Sequence, residues 1–345
     1  MMPAILAFFR DPIVQLVLWT LVKLLVVLVV MLGIVAYLTF AERKVAGHIQ
    51  QRPGPNRVGP WGLFQCIADI VKLLVKEEFI PDQANKVIFH LAPILAVVPA
   101  LTTFAVVPVG PNFQVTDVNV GLLVFLAMSG LGVYAITLAG WSSNNKYSLL
   151  GGMRSAAQMV SYELSLGLST IGVLLLAGSL SLHDIVGAQQ GWYHLGAVPF
   201  PRWFVFTQPV AFVIFVICAF AETNRAPFDL PEGESELTGG FHTEYASMKW
   251  AMFFLGEYMN MITISAITIT LFLGGWGGPW LPPSLQFLWF FVKLFAMIFL
   301  FMWVRWTFPR LRYDQLMAFG WKVLLPIALL NVLATGVVVY WVGAR

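Results

Sequence analysis

The feature that most constrains this chain is a succession of apolar segments, each about as long as the ~20 residues a helix needs to cross a bilayer. Eight qualify, at roughly 13–40, 87–108, 119–140, 154–178, 203–223, 248–274, 286–306 and 320–343. Of the 345 residues, 59% are hydrophobic and only 11% charged. A soluble domain carries about 25% charged residues, so lipid must be the solvent for most of this surface. The expectation is an all-α integral membrane protein, one polytopic domain over residues 1–345 with eight transmembrane helices. The first segment, from about Ile13 to Phe40, exceeds a signal-peptide core and shows no clear cleavage site, so it is kept as a span.

The charges orient the bundle. With an even number of spans both termini lie on one side. Placing them outside gives the inner loops and flanks fifteen of the twenty Lys and Arg residues, which is the arrangement the positive-inside rule favours. In a bacterial inner membrane the termini would then face the periplasm; the organellar equivalent is the mitochondrial inner membrane. The net charge of +3 is too small to indicate a nucleic-acid partner.

Two inner loops are longer than a helix connection requires. Loop 41–86 begins with Glu42-Arg43-Lys44 and runs through Pro53-Gly54-Pro55-Asn56-Arg57-Val58-Gly59-Pro60, where Pro and Gly exclude helix. Beyond it Leu63, Phe64, Ile67, Ile70, Val71 and Leu74 share one helical face and Gln65, Asp69, Lys72 and Lys76 the other. That pattern predicts an amphipathic surface helix in the first cytoplasmic loop. A plain lipid-surface anchor is the alternative reading. Loop 222–247 carries Glu222, Asp229, Glu232, Glu234, Glu236 and Glu244 against Arg225 alone. A solvated acidic loop is the usual explanation of such a run. Here, however, the acids alternate with Pro227, Phe228, Leu230, Pro231, Leu237 and Phe241, which a merely solvated loop does not need. Arg225 is expected to pair with one or more acids of its own loop.

Two carboxylates fall inside spans. Glu163 lies nine residues past Arg154, roughly 14 Å into the bilayer at ~1.5 Å per residue, and Glu257 is about as deep from Lys249. Such groups are costly in lipid and normally face an interior or a water-filled path, where a carboxyl can take and release protons. Ala156, Val160, Gly167 and Thr170 share the face of Glu163 and suit close helix packing; Asn260 is one turn from Glu257. The alternative is a protonated glutamate acting only as interhelical glue. Lys23 and Lys293, each a turn from a tryptophan (Trp19, Trp289), are read as snorkelling residues.

Redox cofactors have no visible site. The two cysteines, Cys66 and Cys218, are far apart; they suggest no disulfide, and a cluster needs about four thiolates. No Gly-rich dinucleotide fingerprint follows a strand. Of five histidines only His90 lies in or beside a span, which argues against haem.

Gly62-Leu63-Phe64-Gln65-Cys66-Ile67-Ala68-Asp69-Ile70-Val71-Lys72, closing on Lys76-Glu77, resembles the first signature of the respiratory complex I membrane subunit called H in bacteria and subunit 1 in mitochondria. The run from Glu222-Thr223-Asn224-Arg225-Ala226-Pro227 through Phe228-Asp229-Leu230-Pro231-Glu232-Gly233 to Glu234-Ser235-Glu236-Leu237 is similar to its second. Glu42-Arg43-Lys44, Ser161-Tyr162-Glu163, Glu244-Tyr245 and Arg312-Tyr313-Asp314-Gln315-Leu316-Met317 also fit, in family order from about residue 42 to 326. Thr238-Gly239 departs from the bulkier pair expected there.

The resemblance implies eight spans and a quinone cavity beneath the peripheral arm of an NADH:quinone oxidoreductase. Quinone, with ubiquinone as the expected species, would enter from lipid between the first and sixth spans and the amphipathic helix. Two hydrophilic partner subunits would supply the terminal iron–sulfur cluster and the headgroup ligands, and FMN would also sit in partner subunits. It further implies a proton path through Glu163, Glu222, Glu232, Glu234 and Glu236 towards adjacent membrane subunits, to which Glu257 is added as a candidate from its place inside a span. Candidate quinone-site residues are Arg43, Arg52, Arg225, Phe228 and Asp229, with Ile67 and Val71 at the mouth. The alternatives are the equivalent subunit of a membrane-bound hydrogenase or formate hydrogenlyase, a stand-alone ion transporter, and a structural anchor.

Overall fold

The computed structural model of the chain describes residues 12–111, 113–195, 198–231, 233–279 and 281–343. The helices are α1 (Pro12–Ile49), α2 (Gln65–Val75), α3 (Lys86–Ala105), α4 (Gly121–Ser142), α5 (Lys146–Ala177) and α6 (Leu182–Ala188). They continue as α7 (Pro209–Glu222), α8 (Ser247–Phe272), α9 (Phe287–Thr307), α10 (Tyr313–Phe319) and α11 (Leu325–Gly343), the last two joined through a π-helical turn, Gly320–Leu324. Among the described residues, seven helices are long and apolar enough to cross a membrane: α1, α3, α4, α5, α8, α9 and the α10–α11 unit.

The eighth expected span is shorter than the sequence suggests. Residues 203–223 divide into a turn, Phe204–Thr207, and the 14-residue α7. Gln208 leaves helical geometry at φ −129°, ψ 52°, and Pro209, which has no N–H to give to a preceding turn, opens the new helix. One short antiparallel hairpin, Trp192–Leu195 with Val198–Pro201, also departs from the all-helical expectation.

The helices differ in how they meet their surroundings. α8 is buried from Met261 to Phe272 without interruption, the mark of a central helix apolar all round. Its hydroxyls are satisfied within the helix: Thr263, Ser265, Thr268 and Thr270 donate to carbonyls four residues back. No hydroxyl of that stretch is left bare, as an interior without water demands. α1 instead buries a single stripe, Met31, Val35, Leu38, Glu42 and Ala46, at spacings of three and four. α3, α4 and α5 pack in sequence, α8 lies on α3, and α7 and α11 both lie on α5. α8 approaches α3 closely because residue 256 is glycine; a Cβ there would meet Ala96 O at 2.9 Å.

At the end of the bundle away from loop 222–247, Lys293 is buried rather than snorkelling. Its ammonium donates to Leu273 O, Gly275 O and Gly277 O at 2.6, 3.0 and 2.6 Å and lies 4.3 Å from the Trp203 ring centre. Three carbonyls and an aromatic face stand in for water here. Lys23 is part-exposed and donates to Gln114 O at 3.1 Å.

A charged network and an acid-lined cavity

The Pro/Gly segment after α1 folds back on itself. Gly62 takes φ +83°, where a Cβ would lie 2.2 Å from Pro55 O, so no larger residue fits. The turn sets α2 down with Cys66 buried and Asp69 and Leu73 partly so, while Ile67, Ile70, Val71 and Leu74 are exposed. The apolar face read from the sequence is therefore the outward one. The inward side is tied by Arg43 to Asp69 at 2.5 Å and by Ser247 Oγ donating to Leu73 O.

Loop 222–247 is anchored rather than solvated over its first half. Gln158 of α5 donates to Ala221 O and Phe228 O, both at 2.8 Å, and Leu311 N donates to Pro227 O. Phe228 is buried edge-on against Tyr162, whose hydroxyl donates to Leu316 O. These bonds drive Arg225 under the loop and into the bundle, where it is 1% exposed.

Its ion pairs correct the sequence expectation: they are made with acids on helices, Glu42 and Glu257. Arg225 Nη1 donates to Glu42 Oε2 at 3.1 Å, and Arg225 Nε stands 2.8 Å from Glu257 Oε1. Its guanidinium lies 4.4 Å from the Tyr258 ring centre. Glu42 also accepts from the Tyr258 hydroxyl and from Arg305 Nη1, each at 2.5 Å. Burial disfavours charge on Arg225, but Glu257 and Glu42 more than offset that and hold its pKa above the ordinary arginine value. Asp229 is near enough to Glu257 for their charges to interact.

Beside this network lies a cavity of about 80 Å³ whose lining includes Glu257, Asn260, Glu222, Gly132, Met159 and His242. A space of that size admits water, since one molecule needs ~10–15 Å³ by this measure. Glu222 is 2% exposed, and among the described residues its Oε1 has no hydrogen-bond partner. Its other close influence is the charge of Glu163. Glu163 itself lies over α4 at Gly130, where a Cβ would come within 3.1 Å of its Oε1.

The remaining candidates sit elsewhere. Arg43, Arg52 and Arg57 line a separate open cavity of about 510 Å³ in the first loop, and Arg52 Nε donates to Gln50. Arg225 and Phe228 do not reach it. Glu236 forms an exposed pair with Arg154 at 2.7 Å; Glu234 opens the turn Glu234–Leu237; Glu232 lies outside the described residues. A further apolar cavity of about 630 Å³ runs between α1 and α9 and reaches Ala41 and Val45, on either side of Glu42.

Sequence reasoning passed over Glu42, Tyr258 and Arg305. The signal for Glu42 was present, because it falls on the α1 stripe of Met31, Val35 and Leu38 while Arg43 is one position off it. Among the described residues no cluster of His, Cys, Asp and Glu is arranged to hold a metal ion; Cys66 and Cys218 are both buried and free.

Residues 22–336 match the family model described as NADH dehydrogenase. The chain is 53% identical over 325 residues to the first of two NADH-quinone oxidoreductase H subunits of Geobacter metallireducens, covering 92% of this chain and 95% of that one. It is 54% identical over 329 residues to the second H subunit of Geobacter sulfurreducens, covering 93% and 96%. With the NADH-quinone oxidoreductase H subunit of Rhodospirillum centenum it shares 53% over 321 residues, 91% of each. A match of this length and identity shows that the chain belongs to the H-subunit family of complex I, the membrane subunits designated H in NADH-quinone oxidoreductase.

Proposed function

We propose that this subunit forms the membrane wall of the quinone site and carries the charge change of quinone reduction into the bilayer. Reducing a quinone takes up two electrons and two protons. The electrons come from an iron–sulfur cluster of a hydrophilic partner subunit, fed from FMN in another partner; this chain contributes binding surface and proton-handling groups. The observation that carries the reading is the cavity shared by Glu257 and Glu222. On one side of it stands the Glu42–Arg225–Glu257 network, on the other the Glu222–Glu163 pair. Negative charge developing near Glu42 competes for Arg225 and Arg305, and carboxylates this close titrate as a set. A proton gained at Glu257 can then be matched by one moving through the cavity to Glu222 and on to Glu163, towards adjacent membrane subunits. Glu232, Glu234 and Glu236 form the acidic approach to this path.

In this reading the headgroup, with ubiquinone the expected species, is reached from the α1–α8 side at Glu42 and Tyr258. The isoprenoid tail leaves along the apolar cavity between α1 and α9. Arg43, Arg52 and Asp229 face the hydrophilic subunits, and Ile67 and Val71 border the mouth. α7, about 21 Å long at ~1.5 Å per residue, crosses as the eighth span with the Phe204–Thr207 turn above it. The termini face the periplasm, or its equivalent outside an organellar inner membrane, and the whole chain acts as one domain.

The test is Asn260→Leu, which fills the shared cavity with an apolar side chain. Expected are an assembled complex, unchanged NADH oxidation by water-soluble acceptors, and proton translocation reduced about tenfold, the equivalent of ~1.4 kcal/mol on a barrier. Undiminished proton translocation in sealed vesicles would detach the cavity from the path.

A further inference from the structure

A second large cavity lies at the end of α1 and α9 away from Glu42, and the quinone reading does not use it. It has a volume of about 720 Å³ and is walled by Val26, Val27 and Val30 of α1, Phe113 of the α3–α4 connection, and Phe287 and Phe291 of α9. Among the described residues, Ser284 brings the one hydroxyl of its lining, and no charged side chain lines it. We propose that this cavity holds one acyl chain of an anionic phospholipid whose phosphate is bound by Lys23.

Two features of the lining and rim select this occupant. Binding pockets of ~300–1,000 Å³ that take a headgroup place a few convergent polar groups inside an apolar wall. This one offers a single hydroxyl, so it suits a hydrocarbon chain and leaves a quinone ring without partners. The charge lies at the rim instead. Lys23 precedes Val26 and Val27 by three and four positions, so its side chain shares their face of α1. Its Nζ donates one bond, to Gln114 O beside Phe113, and among the described residues it forms no ion pair. An ammonium has three protons, so two remain for phosphate oxygens.

The other lysine at this end makes the contrast. Lys293 has all three of its protons met by Leu273 O, Gly275 O and Gly277 O and has none to give a lipid. Of these two lysines, Lys23 is the one with donors to spare. The cavity shares Val30 and Ile34 with the α1–α9 cavity beneath Glu42. A chain seated in it would close the far end of that passage and support α1, which otherwise buries only one stripe.

The experiment uses the assembled complex in nanodiscs containing either phosphatidylglycerol or phosphatidylcholine, each with a diazirine near the middle of one acyl chain. After irradiation, adducts are mapped by mass spectrometry. Phosphatidylglycerol should label peptides containing 26–34, 104–113 and 287–294 several-fold more than phosphatidylcholine. Lys23→Gln should reduce that labelling to the phosphatidylcholine level, Lys23→Arg should restore it, and Val27→Trp should remove both; native-gel assembly of each variant verifies that the loss is local. Equal labelling by the two lipids in the unaltered complex would overturn headgroup selection at Lys23. Labelling of the same peptides by a diazirine-tailed quinone in place of either lipid would assign the cavity to the quinone tail. Cross-linking of Val30→Cys to a neighbouring subunit would assign it to a protein helix. Either result would overturn the lipid.

Discussion

The acids on the two sides of the Glu257–Glu222 cavity are held in opposite ways. Glu42 is met by two guanidinium groups and a tyrosine hydroxyl, and Glu257 by Arg225. Glu222 is just as buried, but its Oε1 has no hydrogen-bond partner among the described residues and its charged neighbour is another acid, Glu163. In the first group the acids are surrounded by cations and a hydroxyl. In the second, Glu222 Oε1 is left without such a partner among the described residues. The proposed proton path needs both: a charge-sensing end that does not collapse and a conducting end that is not locked. Removing a partner should therefore damage the first group structurally and the second functionally.

The largest effect is expected for Arg225→Ala. It leaves Glu257 facing Asp229 without its cation and strips Glu42 of one of two; breaking a buried pair costs about 3–5 kcal/mol. The subunit should fail to accumulate in the assembled complex, as seen on native gels. Arg225→Lys should rescue only part of this, because one ammonium cannot reproduce a guanidinium that meets Glu42 through Nη1 and Glu257 through Nε. An assembled, stable alanine variant would show that the pairing is incidental.

Glu163→Gln should behave in the contrary way. The amide keeps the shape beside Gly130 and removes the exchangeable proton. The complex should assemble normally while coupled quinone reductase activity falls about tenfold or more, ~1.4 kcal/mol per decade. Full activity at neutral pH would take Glu163 out of the path.

How much of this was legible follows from the range of the interactions involved. The long apolar helices and the two faces of α2 are local patterns, and most of the helices emerged with ends shifted by a few residues; α5 begins earlier, at Lys146, and α1 runs on to Ile49 because its stripe continues through Glu42 and Ala46. The break at Gln208–Pro209 was also local, but the surrounding run of apolar residues masked it. The partners of Arg225 were not legible, since Glu42 is 183 positions away and only the folded loop brings them together. Acid-rich neighbours made the loop look self-paired, whereas burial under Gln158 and Phe228 turned the arginine towards α1 and α8. Lys293 misled for a related reason: a tryptophan one turn away is a sign of an interface, and the carbonyls of residues 273–277 that solvate it carry no side-chain signature.

A smaller change isolates the sign of the difference between the two groups. Glu222→Gln replaces an acid whose Oε1 has no hydrogen-bond partner among the described residues with a neutral side chain, so unfolding should become harder by about 1 kcal/mol or stay unchanged. Glu42→Gln removes the anion between two arginines, so it should become easier. Thermal denaturation of the purified complexes, followed by loss of this subunit, gives both. Equal destabilisation by the two substitutions would erase the distinction between fixed and unfixed acids.

The smallest effect is expected at the approach to the paired group. Ile67 and Val71 are exposed on the outward face of α2, while Asp69 ties the inward side to Arg43, the residue after Glu42. An isoprenoid tail needs an apolar entrance, and a headgroup needs polar partners deeper inside. Ile67→Trp or Val71→Trp adds bulk at the surface without touching a charge, so assembly and NADH oxidation by water-soluble acceptors should be unaffected. Turnover with long-tailed quinones should fall a few-fold, under ~1 kcal/mol, and short-tailed analogues should be spared. Equal loss with both would mean that the substitution disturbs α2 and, through Asp69 and Arg43, the network itself. No loss with either would leave α2 as an anchor on the membrane surface, and the route to Glu42 would then run along the cavity between α1 and α9 alone.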